Sequence, residues 1–377
     1  MKSQKVIVII SFLFLIFACK QEGKEIEKST SVTSIKFAKG FEIQKFTDYK
    51  KLVINSPYPN AKKALEYILI PKGKEIPAIV KGKKIIRTPI EKIVVTSTTH
   101  IPFLELLDVE KSLVGFPSLK YISSTKTRQL ISNGQIKELG NGQDINTEVL
   151  LDLQPELVIG FAMNSNPKMF TNIEKAGIPV VFNGDWLEET PLGRAEWLKF
   201  FAVLFEKEQV ADSIFNRIEK EYNDAVIIAK KVSTKPTILT GSIFKDIWNL
   251  PAGDSFMAQY LKDANTDYLW ANTKGRGSLS LSFESVFEKG KNTDFWIDSG
   301  IYTSFKELEE TNQHYAKFKA FKTKKIFSFA HQKGENGGLL YYELAPVQPN
   351  IVLKDIIKAV HPELLPEYEP YFLKRLK

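Results

Sequence analysis

One stretch of the chain, residues 193–232, constrains the fold more than any other. It contains no proline, and no glycine after its first residue, so nothing in it interrupts a helix. Apolar residues recur at helical spacing, beginning with Leu198, Phe201 and Phe205. As one continuous helix it would extend roughly 60 Å, which exceeds a single small domain. We therefore predict a helical segment that bridges two lobes, with a bend or break at the polar turn 206–208.

Short apolar runs alternate with helical stretches on both sides of this segment. The runs lie at residues 93–96, 113–115, 157–161, 180–182, 237–240, 295–297 and 326–329. Apolar runs of three to five residues between helices are typical of parallel strands that are covered on both faces. The pattern predicts an α/β fold with two Rossmann-like lobes, at 91–192 and 233–377, joined by the bridging helix.

Residues 35–90 have a different pattern. Short apolar runs alternate there with glycine, proline and lysine, and Pro89 closes the section. This spacing is typical of strands joined in hairpins. We expect a small β-rich N-terminal section, for which the sequence indicates no function.

The N-terminus has the features of an export signal. Lys2 and Lys5 precede thirteen almost wholly apolar residues, 6–18, too few for a helix that crosses a membrane. A basic start followed by a short apolar core is typical of a secretory signal peptide, here residues 1–18. The next residue, Cys19, is the only cysteine, so no disulfide can form within the chain.

The tetrapeptide Ile16-Phe17-Ala18-Cys19 resembles the lipobox of bacterial lipoproteins. The resemblance implies cleavage before Cys19 and acylation of that residue by chains such as palmitate, which together give stable anchoring. Residues 19–34 are then a lipidated tether, and the protein is exported and held on a bacterial membrane, at its periplasmic or outer face. The alternative is a plain signal peptide followed by an incidental cysteine.

Composition narrows the possible functions. The formal charge of +8 is spread along the chain, so nucleic acid is not an expected partner. Four histidines without an HExxH spacing disfavour a metal site built from histidine and cysteine side chains. There is no GxSxG motif for a hydrolase nucleophile. We expect a monomeric binding protein with no catalytic residues and no intrinsic cofactor or metal.

Each lobe contains a glutamate in the same local setting. Glu148 and Glu284 each lie two positions after an N-cap residue, Asn146 and Ser282, and each is followed by an apolar helical turn and a buried strand. An acidic residue in the first turn of a helix is favoured by the helix dipole, which accounts for either glutamate alone. The helix dipole does not explain why the same arrangement occurs once in each lobe.

From residue 91 to the end, the chain resembles the substrate-binding proteins of ABC importers for ferric siderophores, haem and cobalamin. The segments that carry the resemblance are IVVTSTTHIPFLELL, NTEVLLDLQPELVIG, AGIPVVF, GRAEWLKFF, WNLPAGDSFMAQYLKDA, LSFESVF and VLKDIIKAVHPELLPEY. The resemblance implies two α/β lobes joined by one rigid helix, and a permease dimer with its ATPase as partners. It also implies that Glu148 and Glu284 dock onto arginines of the permease.

Ligands of open α/β sheets bind beyond the carboxyl ends of the strands, which here face a cleft between the lobes. Aromatic faces and arginine suit a bulky metal chelate, and we expect a ferric siderophore, with haem or cobalamin as alternatives. The candidate ligand-binding residues are His100, Trp186, Trp248 and Arg276, followed by Tyr121, Tyr302 and His331. Each also has an ordinary structural explanation as a packed or ion-paired side chain.

Two functions of other classes remain open from the sequence. A surface adhesin or structural lipoprotein would use residues 35–90 as its interaction module. An exported hydrolase is the less favoured of the two, since the sequence has neither a GxSxG nor an HExxH motif.

Overall fold

The computed structural model describes residues 30–140, 145–162 and 168–377. The predicted signal peptide, Cys19 and most of the predicted tether lie outside these ranges. Among the described residues, no helix combines the length and the apolar character that crossing a membrane requires.

The N-terminal section forms a sheet with the strand order β1-β2-β3-β4-β5. Its strands are β1 (Ser31–Val32), β2 (Phe41–Lys45), β3 (Lys50–Ile54), β4 (Leu65–Pro71) and β5 (Ile85–Thr88). Neighbours up to β4 are antiparallel, as hairpins require, but β4 and β5 are parallel. The prediction of hairpins is therefore wrong for this last pair. Parallel neighbours need a crossover of about a dozen residues, and residues 72–84 provide it.

The first lobe is a parallel sheet with the order β10-β9-β6-β7-β8. Its strands are β6 (Ile93–Val95), β7 (Leu113–Phe116), β8 (Lys137–Glu138), β9 (Leu157–Gly160) and β10 (Val180–Phe182). Its helices are α1 (Ile101–Leu106), α2 (Thr125–Ser132), α3 (Thr147–Leu153) and α4 (Lys168–Lys175). The strand order reverses between β6 and β9, and such a reversal opens a crevice at the carboxyl ends of the strands.

The bridging segment consists of three successive helices. They are α5 (Pro191–Glu196), α6 (Leu198–Phe205) and α7 (Glu208–Ala229). The break between α6 and α7 falls in the predicted polar turn, where Glu206 has a φ of +55° and ends α6. Every residue of α6 is buried, and Ile214 of α7 packs against the cores of both lobes. The segment is therefore part of both cores.

The second lobe repeats the α/β arrangement. Its main sheet has the order β14-β11-β16-β17-β18, with strands β11 (Thr237–Thr240), β14 (Asp267–Tyr268), β16 (Phe295–Ile297), β17 (Ile326–Ser328) and β18 (Lys374–Arg375). A second, antiparallel sheet contains β12 (Ser242–Phe244), β13 (Ile247–Pro251) and β15 (Ser278–Leu281). The helices are α8 (Phe256–Asp263), α9 (Phe283–Gly290), α10 (Phe305–Thr311), α11 (Lys319–Lys322), α12 (Leu340–Leu344) and α13 (Pro349–Val360). The order of the main sheet reverses between β11 and β16. In the main sheet, β14, β11, β16 and β17 are parallel, and β18 is antiparallel to β17. Two α/β lobes with mainly parallel main sheets, joined by the bridging helices, confirm the predicted fold class.

Two buried glutamates fasten the N-terminal section to the bridging region. The carboxylate of Glu196, on α5, accepts hydrogen bonds from the backbone N–H groups of Lys36, Phe37 and Ala38 at 2.7–3.0 Å. Glu188 accepts from the backbone N–H groups of Lys39 and Gly40, and from the indole of Trp197, at 2.8–3.1 Å. Because buried carboxylates are costly without such donors, these contacts hold the section firmly against the bridging region.

Candidate functional site

A cavity of about 410 Å³ lies in the cleft where the two lobes and α5 meet. The first lobe and the bridging segment contribute Thr99, Trp186 and Arg194, and the second lobe contributes Phe256, Met257, Arg276, Asp298, Tyr341, Tyr342 and Pro346, among others. Thr99 follows β6 and Asp298 follows β16, the strands at which the two sheet orders reverse. The cavity therefore occupies the position at which open α/β sheets bind ligands.

Arg194 forms the cationic part of the cavity nearest the bridging helices. Its Nη2 lies 3.2 Å from Oδ2 of the buried Asp185 in the first lobe, and its guanidinium lies 4.3 Å from the ring centre of Phe256 in the second. Burial raises the pKa of Asp185, against the opposing effect of the Arg194 charge. Arg194 Nε has no hydrogen-bond partner among the described residues. Arg194 thus contacts both lobes while lining the cavity.

Arg276 provides the second cation, at the rim of the cleft. Its Nη2 lies 2.6 Å from Oε1 of Glu189, which also pairs with Lys39 of the N-terminal section at 2.5 Å. The hydrogen bond from Lys39, followed by the nearby Arg276 charge, lowers the pKa of Glu189. The Arg276 side chain remains 41% exposed. It is therefore accessible to an anion that enters the cleft.

The remaining walls are largely aromatic. Tyr341, on α12, stacks on Phe329 with ring centres 3.8 Å apart, and its neighbour Tyr342 is exposed. Trp186 is half-buried, and its ring centre lies 5.8 Å from that of Phe161. Burial raises the pKa of Asp298 to about 6. The cavity thus combines flat apolar faces with two arginines and one weakly acidic carboxyl group.

Of the seven predicted ligand-binding residues, Trp186 and Arg276 line the cavity. Trp248 does not line the cavity. Lys245 and Asp246, both at positive φ, form a tight turn after which β13 begins. The alternation of side chains along β13 then directs Trp248 into the core. Its ring stacks on Trp296 at 5.2 Å, and its Nε1 donates to the Thr240 carbonyl at 2.9 Å. The expectation of a cleft tryptophan in a loop after β11 is therefore corrected to a core tryptophan.

His100 is also a core residue. It is fully buried, with its ring centre 5.7 Å from that of Phe201. Burial lowers the pKa of His100 to about 3, so its ring is neutral at ordinary pH. Neither ring nitrogen has a hydrogen-bond partner among the described residues. His100 lies next to the cavity-lining Thr99 but does not itself line the cavity.

The three second-rank residues are also away from the cavity wall. Tyr121 is 54% exposed, and Nζ of the neighbouring Lys120 lies 5.0 Å from the centre of the tyrosine ring. Tyr302 packs against the core of the second lobe. His331, which follows β17, is half-buried, and burial lowers its pKa. None of the three lines the cleft cavity.

Sequence reasoning missed Arg194 and the tyrosines of α12. Arg194 could have been found from its position, directly after Gly193 at the start of the predicted bridging segment. In the structure this position lies where both lobes meet. For α12, the signal was the glycine-rich stretch 334–338 followed by two adjacent tyrosines. Both lie on helices, α5 and α12, whereas the predicted ligand-binding residues all came from segments expected to be loops.

Glu148 and Glu284 occupy matching positions on the two lobes. Each is exposed and lies in the first turn of its helix, α3 or α9. The side chains of Asn146 and Ser282 cap these helices by accepting from the N–H groups of Val149 and Ser285, at 3.1 and 3.2 Å. Within the described ranges, neither glutamate has an ion-pair partner of the protein's own. Both carboxylates are therefore free to contact another molecule.

The chain matches known proteins in sequence and in fold. Residues 93–332 match the family model described as periplasmic binding protein. An uncharacterized lipoprotein of Methanocaldococcus jannaschii is 24% identical over 323 residues, which are 81% of this chain and 75% of the relative.

Two solved structures illustrate the shared fold. A possible iron-binding periplasmic solute-binding protein of Staphylococcus epidermidis gives a TM-score of 0.56 at 16% identity, over 73% of this chain and 100% of that one. A periplasmic haem-binding protein of Vibrio cholerae gives a TM-score of 0.54 at 16% identity, over 70% of this chain and 99% of that one. With the family match covering more than half of its length, the chain belongs to the periplasmic binding protein family.

Proposed function

We propose that this protein is the substrate-binding lipoprotein of an ABC importer and that it captures a bulky, anionic metal chelate in the cleft. Members of its family are binding proteins, not enzymes. The observation that carries the proposal is a cavity between the lobes that combines Arg194 and Arg276 with aromatic walls. Arginine matches carboxylate and catecholate oxygens, and aromatic faces suit the organic shell of a chelate.

A ferric siderophore is the favoured ligand, with haem and cobalamin as alternatives. The structures that share this fold include a possible iron-binding protein and a haem-binding protein, which supports this range of ligands. The chelate is cargo and not a cofactor. The proposal excludes His100, Trp248, Tyr121, Tyr302 and His331 from ligand contact, since none of them lines the cavity.

Tryptophan fluorescence gives a direct test. Trp186 lines the cavity, whereas the other four tryptophans, Trp197, Trp248, Trp270 and Trp296, are at most 5% exposed. Titration with a ferric trihydroxamate, a ferric tris-catecholate, haemin and cyanocobalamin should quench the wild-type protein with at least one probe. Native mass spectrometry of the protein purified from its own host weighs any bound chelate independently. Binding of none of the probes, together with turnover of an ester or glycoside substrate, would instead support an exported hydrolase.

Arg276 gives the matched test of the charge argument. Arg276→Gln removes one cation from the rim, and a hydrogen bond to a charged group contributes about 1.5–3 kcal/mol, so affinity should fall roughly 10- to 100-fold. Arg217→Gln removes an exposed arginine from α7, outside the cleft, and should leave affinity unchanged. Equal affinities of the two variants would contradict the assignment of the ligand to this cavity.

The exposed carboxylates of Glu148 and Glu284 are proposed to dock onto the permease. Two acidic points on separate lobes suit a symmetric permease dimer, and charge pairing there favours association rate and orientation. Glu148→Ala combined with Glu284→Ala should abolish uptake but not ligand binding in solution. Unchanged uptake by the double variant would rule out this docking role.

Cys19 is proposed to carry the lipid anchor. The relative from Methanocaldococcus jannaschii is itself called a lipoprotein, which supports this interpretation of the N-terminus. Labelled palmitate should be incorporated into the wild-type protein and not into Cys19→Ala. Equal labelling of the two proteins would show that Cys19 is not the acylated residue.

A further inference from the structure

A second cavity, also about 410 Å³, lies beside the cleft and shares part of its wall. Trp186, Arg276 and Gly277 line both cavities. The outer wall of the second cavity comes from the loop between β3 and β4 and consists of Asn55, Ser56, Tyr58, Pro59, Asn60 and Ala61. This loop belongs to the N-terminal section, which precedes the residues 93–332 matched by the family model.

The loop is built as a fixed wall and not as a free flap. The backbone N–H groups of Asn55 and Ser56 both donate to the Gly40 carbonyl, at 2.8 and 3.3 Å. The Ser56 carbonyl lies so close to Gly184 that a Cβ at that glycine would be 2.1 Å from its oxygen. Proline at positions 57 and 59 further restricts the backbone. The loop therefore has a set position against the first lobe.

The section that carries the loop is itself fixed to the rest of the protein. Glu188 and Glu196 bind the backbone of residues 36–40, and Lys39 pairs with Glu189 at the cleft rim. Phe41 of β2 packs on Trp197 with ring centres 4.8 Å apart. A rigid, preformed wall lowers the entropy that a ligand loses on binding.

The chemistry of the second cavity suits a flat group rich in hydrogen-bond acceptors. Tyr58 and Trp186 offer aromatic surface, Asn60 an amide, and Arg276 a cation, while none of the described residues that line this cavity is acidic. Ligand pockets commonly measure roughly 300–1,000 Å³, so each cavity alone is near the small end of that range. Space that continues from one cavity past Trp186 into the other would accommodate a larger ligand.

We propose that this second cavity is a subsite for a peripheral arm of the chelate held in the cleft, an arm that carries carboxylate, hydroxamate, catecholate or amide oxygens. The proposal rests on the function proposed above and deepens it. The N-terminal β section then helps to select the ligand, because it determines which arms fit beyond Trp186.

Ala61→Trp tests the proposal by filling the second cavity from its outer wall. Ala78→Trp is the matched control, because Ala78 is an exposed residue of the same section and lines neither cavity. The probes are the ferric trihydroxamate, the ferric tris-catecholate, haemin and cyanocobalamin. For each probe that the wild-type protein binds, Ala61→Trp should raise Kd at least 10-fold, and Ala78→Trp less than 2-fold. Equal Kd values for wild type and Ala61→Trp would overturn the subsite.

A second measurement avoids dependence on the folding of that variant. Hydrogen exchange on the wild-type protein should show slower exchange at the backbone N–H groups of Tyr58, Asn60 and Ala61 when a probe is bound. Protection in the cleft without protection in this loop would overturn the subsite while leaving the proposed function intact. A wild-type protein that binds none of the probes would overturn both.

Discussion

At the scale of single residues, Glu189 connects three parts of the protein. Its carboxylate pairs with Lys39 of the N-terminal section and with Arg276 of the second lobe. Ion pairs with this much exposure contribute little to stability, typically about 0–1 kcal/mol. The pair matters more because it neutralises the arginine that an incoming anion would contact.

Glu189→Gln should therefore strengthen the binding of anionic chelates. Removing the carboxylate leaves Arg276 without its competing partner, and we expect a several-fold lower Kd, with the gain reduced at high salt by screening. Kd for haemin or the ferric tris-catecholate, measured at low and high salt, gives the comparison. Glu310→Gln, at a surface pair with Lys306, is the control. Weaker binding by Glu189→Gln would mean that the ion pair positions Arg276 instead of competing for it.

His100 gives a prediction about stability and pH. Its pKa is about 3 in the folded protein, against an ordinary value of 6.5, because burial excludes the charged ring. Between these values the unfolded chain binds a proton that the folded protein does not, so stability is lost as pH falls. The contribution is about 1.4 kcal/mol for each pH unit below 6.5. His100→Leu should flatten this part of the pH profile of the unfolding free energy.

Two features make the His100 experiment selective. Both ring nitrogens lack partners among the described residues, so leucine removes no hydrogen bond of the fold and should preserve stability at pH 7. His314→Leu, at an exposed position, should keep the wild-type slope. A profile that is equally steep in His100→Leu would assign the acid sensitivity to other groups.

At the scale of elements, the attachment of the N-terminal section depends on buried carboxylates. Glu196 is fully buried and receives three backbone N–H groups together with Lys199 Nζ at 3.0 Å. Glu196→Ala would leave these donors without their acceptor, and each buried donor left unpaired costs about 1–3 kcal/mol. We expect a loss of at least about 3 kcal/mol in the unfolding free energy, measured by urea denaturation.

A nearby surface pair provides the control for Glu196. Glu219 pairs with Lys36 Nζ at 2.8 Å, in the same segment that Glu196 binds, but the Lys36 side chain is 46% exposed. Glu219→Ala should lower the unfolding free energy far less than Glu196→Ala, because solvent screens an exposed ion pair. Similar losses in the two variants would indicate that the buried carboxylate does not anchor the section.

Seven strands of the two lobes and most of the bridging segment were predictable, because each has a clear apolar pattern in the sequence. Apolar runs predicted β6, β7, β9, β10, β11, β16 and β17, and the run that starts at Gly193 predicted α6, α7 and the second part of α5. The hairpin of β12 and β13 was not predictable in the same way. Its turn uses Lys245 and Asp246 at positive φ, where glycine or asparagine would normally give the signal. That missed turn explains the misplacement of Trp248.

The cleft could be predicted only where it is formed by loops that follow strands. Trp186 and Arg276 lie in loops that the sequence pattern predicts to be near the cleft. Arg194 lies on a helix, and the tyrosines of α12 come from a segment far along the chain, so only packing reveals that they share one cavity. The buried acceptors Glu188 and Glu196 were equally hidden, because their partners are backbone groups more than 140 residues away.

At the scale of the whole molecule, the lobes contact each other directly through α12. The carboxylate of Glu343, on α12, accepts hydrogen bonds from the backbone N–H groups of Ser123 and Ser124 in the first lobe, at 2.7 and 2.8 Å. Burial raises the pKa of Glu343 to about 7, with a further contribution from the nearby Glu105, although the two N–H donors act in the opposite direction. We expect the bridging helices to limit any opening of the lobes to small amplitude, because bending a packed helix costs more than rotating a loop hinge.

Closure of the lobes should therefore depend on pH through Glu343. If opening exposes this carboxyl group to water, its pKa returns toward the ordinary value of 4.5. Between pH 4.5 and 7 the closed form then binds more protons than the open form, so closure is favoured at low pH and weakens as pH rises through this window.

Spin labels on Asp152→Cys and Glu288→Cys, exposed positions on α3 and α9, report the distance between lobes in a Cys19→Ser background that leaves no other cysteine. The distance distribution should shift by a few ångström toward longer values between pH 5 and pH 8 in the wild type and stay constant in Glu343→Gln. A shift of equal size in both proteins would assign the pH dependence to other groups, and a shift toward shorter distances would reverse the proposed sign.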